Sequence, residues 1–207
     1  KTAAFAEETV VDQSQLAPVP DDFPMDAASL LACSVIMGFG AVVRTAKVPF
    51  GSSVAVLGVG GVGLNAVQGA VVSGAHPIIA VDLLDSKLEA AKSFGATHTV
   101  RADRDSADEA VVEITGGRGA DYAFITVGST AAVEQGFKMI AKQGTEVLVG
   151  IPEAGANFSL PAGGFVGSEK KMIGSCMGST RLSSDIPKHL NAYREKKLKL
   201  EELITNH

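Results

Sequence analysis

Four clustered glycines and a distant carboxylate form the pattern in this sequence that could do chemistry. Gly58, Gly60 and Gly63 fit the pattern G-x-G-x-x-G, and Gly61 lies within it. In such a pattern the first glycine permits a tight turn, the second lets a pyrophosphate approach the backbone, and the third lets a helix pack closely on a sheet. Asp82 follows Gly63 by 82 − 63 = 19 residues, near the spacing of about 20 expected for a carboxylate that binds a ribose diol. These residues together predict a dinucleotide site.

The segments around the glycines supply the context that this motif requires. Val54–Leu57 is a short apolar run that predicts a strand buried on both faces. Residues 64–72 have the spacing of a helix that Gly74 ends, and residues 78–81 form a second β-branched run before Asp82. Two alternatives remain open: an S-adenosylmethionine enzyme, and a domain of the same shape that binds no dinucleotide.

The residues after Asp82 indicate which dinucleotide the site would take. A phosphate on the ribose would meet the Asp82 carboxylate directly and would need a nearby arginine. Residues 83–85 contain no arginine, and Lys87 is the only cation close in sequence. The sequence therefore predicts NAD rather than NADP.

Alternating strand and helix patterns continue along the chain and predict an α/β fold with a parallel sheet. We predict a doubly wound, six-stranded Rossmann sheet in the order 3-2-1-4-5-6, with a ligand crevice at the carboxyl ends of strands 1 and 4. The predicted strands cover residues 54–57, 78–81, 98–100, 122–127, 146–149 and 171–175. The predicted helices of this unit cover residues 64–72, 87–94, 106–113, 130–141 and 185–196.

The segments that flank this pattern lead to separate expectations. Residues 27–37 are apolar on all sides of a helix, which predicts a helix buried between layers. Gly38 and Gly40 are expected to interrupt it before helical character resumes over residues 41–47. The other expectations are a strand at residues 9–11, a loop at 152–167 and a short turn at 198–204.

Composition narrows the function classes. The chain has 207 residues, of which 46% are hydrophobic and 20% charged, as in ordinary soluble globular proteins. A net charge of −5 gives no basic footprint for nucleic acid, and we expect no apolar run of the ~18 residues that span a membrane. Two cysteines predict a reducing, cytoplasmic setting rather than a disulfide framework. The histidines show no metal spacing and are interpreted as loop and surface residues: His76, His98, His189 and His207.

Several runs give the sequence a family resemblance that covers nearly the whole chain. They are Leu30–Cys33, Gly38–Gly40, Gly58–Gly63, Val81–Asp82, Lys87, Phe94–Ala96, Val127–Gly128 and Val149–Pro152. With these runs the sequence resembles the cofactor half of zinc-type alcohol dehydrogenases of the medium-chain family. It is most similar to the class III and related bacterial branch, and Cys176–Ser179 and Asp185–Pro187 resemble the bacterial members in particular.

This resemblance implies a set of cofactor-binding residues. NAD would lie along Gly58–Gly63, including Gly61 and Val62, while Asp82 and Lys87 would hold the adenosine ribose. The residues expected to line the middle of the site and to flank the nicotinamide are Thr126, Val127, Gly128, Val149, Gly150, Ile151 and Met177. Met37 stands where many members carry a threonine beside the cofactor.

The resemblance also implies zinc chemistry in an intact enzyme. Cys33 matches the third ligand of the family's catalytic zinc, which polarises an alcohol oxygen so that hydride can leave to the nicotinamide. The family's other two ligands come from an upstream domain that this sequence does not contain. We therefore expect a small alcohol or aldehyde as substrate of the intact enzyme, and weak NAD binding with no catalysis by this chain alone.

The same reasoning predicts a division of the chain and its assembly. Residues 1–34 are expected to belong to the catalytic domain, 35–176 to the NAD-binding domain, and 177–207 to a segment returning toward the catalytic domain. The 27–37 helix and the 198–204 segment would then expose apolar faces. A homodimer through the 171–175 strand is expected, because the family dimerises there.

Two alternatives to this interpretation stay open. One is a non-catalytic module that binds NAD or a partner without hydride chemistry. The other is a zinc-free relative of quinone reductases, which Asp82 disfavours because those enzymes prefer NADPH and a carboxylate opposes its phosphate.

Overall fold

Six parallel strands form one sheet in the order β3-β2-β1-β4-β5-β6, which confirms the predicted topology. The computed structural model describes residues 6–104 and 106–205, so the first five residues of the predicted tail and His207 lie outside the described part. The strands are β1 Val54–Leu57, β2 Ile78–Asp82, β3 His98–Arg101, β4 Ala120–Ile125, β5 Ile140–Leu148 and β6 Lys171–Gly174. β5 is longer than predicted because Ile140 pairs with Ala120 before a register shift.

Seven helices longer than three residues surround or flank this sheet in the described chain. They are α1 Met25–Ala46, α2 Gly61–Val72, α3 Asp85–Ser93, α4 Ala107–Ile114, α5 Thr130–Met139, α6 Ala162–Ser168 and α7 Leu182–Arg194. One core cluster packs α2 and α3 on one face of the sheet around Val56 and Ala80. A second packs α4 and α5 on the other face around Leu57, Ile79 and Ile125. Successive residues of β1 and β2 alternate between the two clusters, as expected for a doubly wound sheet covered on both faces.

A third core cluster joins α1 to α7 and to the carboxyl-terminal segment. Leu198 and Leu200 are 1% and 0% exposed within it, so the expectation that residues 198–204 expose an apolar face is wrong. The Gln68 side chain adds a reciprocal pair of hydrogen bonds: its Nε2 donates to the Lys199 carbonyl at 3.1 Å, and the Lys199 N–H donates to its Oε1 at 2.7 Å. Core packing and this amide pair therefore dock the segment on α2.

The α1 helix differs from the sequence-based expectation in two respects. It runs through Gly38 and Gly40 without a break. A Cβ at Gly38 would come within 2.0 Å of the Val62 carbonyl oxygen on α2, so the missing side chain lets the two helices approach each other. Glycine here serves close helix packing and not interruption. In the described chain α1 is also long and apolar enough to cross a membrane by length and composition, which corrects the expectation that no such segment exists. Half of its most apolar window is buried inside the protein, as in a core helix.

Four local predictions are also wrong. Residues 9–11 form no strand in the described chain, and α6 occupies part of the predicted 152–167 loop. α7 begins at Leu182, three residues before the predicted Asp185, whose Oδ2 instead accepts a hydrogen bond from the Arg181 N–H at 2.9 Å. His189 is 6% exposed, so it is a core residue and not a surface one.

Candidate functional site

The glycine turn between β1 and α2 has the geometry that a phosphate-binding turn requires. Gly58 has φ +89°, a value that favours glycine. A Cβ at Gly63 would lie 2.0 Å from the Gly58 carbonyl oxygen, so the start of α2 packs directly on the turn. At Gly60 a Cβ would meet nothing within 4 Å. The turn is closed on the side of Gly63 and open on the side of Gly60, which leaves room for a group from outside.

The first turn of α2 begins at this open side of the glycine turn. Gly60 is the N-cap residue, and within the described chain no side chain caps the helix. Gly61 and Val62 are the first residues of the helix. A helix start of this kind offers N–H donors and a partial positive charge to an anion, and the twelve residues of α2 give it a full-length dipole. The site therefore fits a diphosphate.

The carboxylate of Asp82 lies at the end of β2 and is 7% exposed. Its Oδ2 accepts a hydrogen bond from the Val59 N–H at 2.8 Å, and its Oδ1 accepts one from the Leu84 N–H at 3.1 Å. The Nζ of Lys87 lies 4.0 Å from Oδ2. A carboxylate has about four lone-pair sites, so two sites remain for ribose hydroxyls after these backbone bonds.

The Thr126 side chain points into the glycine turn. Its Oγ1 lies 2.9 Å from the Leu57 carbonyl oxygen and also contacts the Gly58 carbonyl oxygen. These contacts stabilise the turn at the place where the resemblance puts the middle of the cofactor site.

The loops after β4 and β5 pass each other in close contact. A Cβ at Gly128 would lie 2.3 Å from the Ile151 carbonyl oxygen, and one at Gly150 would lie 2.3 Å from the Val127 carbonyl carbon. Val127 and Ile151 are 38% and 86% exposed at this place. The two glycines thus allow a crossing that leaves Val127 and Ile151 free to contact a ligand.

Val149 has a different position from its neighbours. It is 3% exposed and belongs to the core cluster that contains Val56. Its side chain therefore supports the sheet, so that only its backbone is available to a ligand in the crevice.

The turn that contains Met177 is held against α1 by backbone contact. Met177 has φ +47° and is 42% exposed. A Cβ at Gly178 would lie 1.9 Å from the Ile36 carbonyl oxygen, and one at Gly40 would lie 2.6 Å from the Gly178 carbonyl oxygen. This contact fixes the Met177 backbone relative to the α1 helix.

A cavity of about 710 Å³ opens beside Asp82. Four predicted residues line it, Gly58, Asp82, Lys87 and Val127, and the other predicted residues are not part of its lining. The remaining lining residues come from the ends of β1 and β2 and from the helices that follow β3 and β4: Leu57, Val81, Leu83, Leu84, Ala102, Asp108, Ser129, Ala131, Ala132, Glu134, Gln135 and Lys138. Sequence reasoning missed the α4 and α5 contributors, although helices after neighbouring strands of a parallel sheet meet at the same edge.

Cys33 is the one candidate metal ligand, and it lies apart from this cavity's lining. It is exposed, and its Sγ lies 3.6 Å from the Sδ of Met37. Within residues 6–104 and 106–205, no group of three or more His, Cys, Asp or Glu residues could hold a metal ion. A catalytic zinc takes about three protein ligands and a water, so the described residues do not by themselves fit zinc.

Comparison with known proteins shows where this arrangement recurs. Residues 61–195 match the family model of zinc-binding dehydrogenases. An alcohol dehydrogenase of Malus domestica is 38% identical over 99% of this chain and 54% of its own length. A class-3 alcohol dehydrogenase of Dictyostelium discoideum is 35% identical over 99% of this chain and 55% of its own length.

Solved structures of alcohol dehydrogenases also match nearly the whole of this chain. The benzyl alcohol dehydrogenase of Acinetobacter calcoaceticus superposes with a TM-score of 0.93 at 30% identity, covering 97% of this chain and 55% of that one. An alcohol dehydrogenase zinc-binding domain protein of Burkholderia ambifaria gives a TM-score of 0.90 at 30% identity, covering 93% of this chain and 52% of that one. The chain spans about half the length of these relatives. From the matched residues and the shared fold, the chain belongs to the family of zinc-binding dehydrogenases.

Proposed function

We propose that this chain is the NAD-binding half of a zinc-dependent alcohol dehydrogenase that transfers hydride between a primary alcohol or aldehyde and NAD. The observation that carries the proposal is the open face at Gly60, at an uncapped helix start, with the Asp82 carboxylate bonded to the N–H of the adjacent Val59. A diphosphate and a ribose diol are the two groups that this combination recognises. NAD contains both, and when bound it supplies a nicotinamide ring that accepts or donates the hydride.

Each part of the site has an assigned task in this proposal. The N–H groups of Gly61, Val62 and Gly63 bind the diphosphate, and Asp82 with Lys87 orients the adenosine ribose. The adenine lies in the cavity between the ends of β2 and α5, where Leu83, Leu84 and Ala132 offer an apolar surface to a flat ring. Val127, Ile151 and the Met177 backbone position the nicotinamide and exclude water from one of its faces.

The metal enters this proposal only through the intact protein. Cys33 would supply one thiolate ligand, and the other ligands would come from residues outside the described chain. The catalytic domain would also supply the rest of the substrate pocket. We therefore propose that this chain alone binds NAD weakly and does not oxidise alcohols.

A non-catalytic module that binds NAD is the second candidate. Its support is that Cys33 has no partner ligands within the described part of the chain. Such a module would keep the Gly60 and Asp82 contacts and would need no zinc at all.

We also propose that two copies associate through the outer edge of β6 in the cytoplasm. β6 is the last strand of the sheet order, and Lys171 and Gly174 on it are exposed. Exposed strand edges favour pairing with another strand, and the two free cysteines suit a reducing compartment. Light scattering would report a dimer, and a monomer at high concentration would contradict the association.

Calorimetric titration with NAD and with NADP tests the cofactor assignment. We expect NAD to bind and NADP to bind more weakly, and tighter NADP binding would overturn it. Alcohol-dependent formation of NADH, followed by its absorbance with purified chain, separates the two candidates further. The chain alone should give none, whereas the intact protein should give NADH only if the dehydrogenase assignment is right.

A further inference from the structure

Arg101 lies beside Asp82 at the carboxyl end of the sheet, although the two are distant in sequence. The register of β2 and β3 pairs Asp82 with Arg101, and paired residues of neighbouring strands point to the same face of a sheet. An arginine near the ribose carboxylate is the group that accommodates a 2′-phosphate in NADP-binding sites of this fold. The structure thus places beside Asp82 the arginine that residues 83–85 do not contain.

Two carboxylates occupy this arginine. The Nε and Nη2 of Arg101 donate to the two oxygens of Asp103 at 2.8 and 2.7 Å. Its Nη1 lies 3.1 Å from Oδ1 of Asp85, and the Arg101 side chain is 20% exposed. The hydrogen bonds between Arg101 and Asp103 raise the pKa of Arg101 and lower the pKa of Asp103. Bidentate arginine–carboxylate pairs are among the stronger polar contacts in proteins.

Asp85 also occupies the start of a helix, a position that would stabilise a phosphate. It is the first residue of α3, whose N-cap residue Leu84 follows directly after Leu83 and Asp82. The positive end of a helix attracts anions at this position. With Asp85 there, a ribose phosphate would meet a second negative charge after that of Asp82.

We infer that Asp85 and Asp103 withhold Arg101 from the cofactor, so that the site rejects a 2′-phosphorylated dinucleotide. This inference rests on the proposed NAD function. Binding of a 2′-phosphate would require Arg101 to leave two carboxylates that then face the phosphate. NAD carries no such phosphate, so its ribose diol meets only Asp82 and leaves the Arg101 contacts intact.

Three variants of the full chain test this by calorimetric titration with NAD and NADP. The first, Asp85→Asn with Asp103→Asn, frees Arg101 and keeps side-chain size. The second adds Arg101→Leu to these two substitutions. The third is a charge-matched control, Asp22→Asn with Glu89→Gln, which removes two exposed carboxylates paired with Arg194 and Lys92 instead. Circular dichroism and thermal melting establish that each variant is folded.

We expect the first variant to bind NADP about tenfold more tightly than the unmodified chain, with NAD affinity unchanged. The gain should fall with added salt and disappear in the second variant, and the control should show none. A gain that survives without Arg101, an equal gain in the control, or no gain in a chain that binds NAD would each overturn the inference. Failure of the unmodified chain to bind NAD would instead refute the proposed function.

Discussion

The backbone N–H of Val59 donates a 2.8 Å hydrogen bond to Oδ2 of Asp82, which ties the glycine turn after β1 to the end of β2. The residue expected to hold the ribose therefore also fixes the turn expected to hold the diphosphate. Both binding tasks depend on a single side chain, so its substitution should affect affinity and turn geometry together.

Asp82→Asn should lower NAD affinity by at least about tenfold. The amide keeps one acceptor oxygen but loses the charge and half of the lone-pair sites that a diol and two N–H donors would share. Calorimetric titration measures the affinity, and Glu89→Gln, an exposed carboxylate change on α3, is the control. Unchanged affinity in Asp82→Asn would contradict the assigned ribose contact.

Gly60→Ala separates binding from folding. Gly60 has φ −75° and ψ −162°, which alanine adopts readily, and an added Cβ meets no protein atom within 4 Å. The free energy of unfolding in urea should change by less than about 0.5 kcal/mol. NAD affinity should fall about tenfold or more, because the methyl group occupies the space that the diphosphate needs.

Gly63→Ala is the matched opposite of that change. Its Cβ would lie 2.0 Å from the Gly58 carbonyl oxygen, so α2 must move away from the turn. We expect the free energy of unfolding to fall by about 2 kcal/mol or more. Equal stability of the two alanine variants would show that the close approach at Gly63 is not maintained in solution.

Thr126→Val should loosen the glycine turn. Valine keeps the side-chain shape but removes the hydroxyl that contacts the Leu57 and Gly58 carbonyls. The expected loss is about 1 kcal/mol in the free energy of unfolding, with a few-fold loss of NAD affinity, and Thr126→Ser should restore both. A loss of affinity at full stability would instead indicate direct contact between the hydroxyl and the cofactor.

Glu146 on β5 should make stability depend on pH. It is 0% exposed, and neither carboxyl oxygen has a hydrogen-bond partner in the described structure. Burial raises the pKa of this carboxyl to about 8, against an opposing effect of Lys170. The unfolded chain loses the proton near 4.5, so between these values it binds fewer protons than the folded chain. Stability therefore falls as the pH rises through that interval.

Glu146→Gln should remove this contribution. Below about pH 4.5 the variant and the unmodified chain should differ little, whereas above pH 8 the variant should be more stable by about 5 kcal/mol. Urea unfolding across the pH range measures the difference, and Glu169→Gln, an exposed carboxylate that bonds to Gln143, is the control. Parallel pH profiles for the two variants would contradict the assignment to Glu146.

Local patterns were sufficient for the sheet and for the glycine turn. The β-branched runs, the glycine spacing and Asp82 all lie within one βαβ unit, where sequence order determines spatial order. The patterns failed where packing against distant parts of the sequence determines the local structure. The α6 helix forms from Ala162–Ser168, a glycine-rich run of poor helix formers, and its Phe165 ring lies 4.8 Å from the Phe137 ring on α5.

Contacts between distant segments explain the other misses. Residues 198–204 were predicted to expose an apolar face because the α1 and α7 surfaces that cover Leu198 and Leu200 are far away in the sequence. Arg101 was not predicted near the ribose site because the register of β2 and β3 brings it there.

The backbone contact between Gly40 and Gly178 limits how this sequence can change over evolution. Because each glycine faces main-chain atoms of the other segment, a larger residue at either position cannot be accommodated by a smaller one at its partner. Compensating substitutions are therefore closed to both sites. Any descendant that loses one of these glycines must re-route the chain near Met177, and with it the backbone assigned to the nicotinamide.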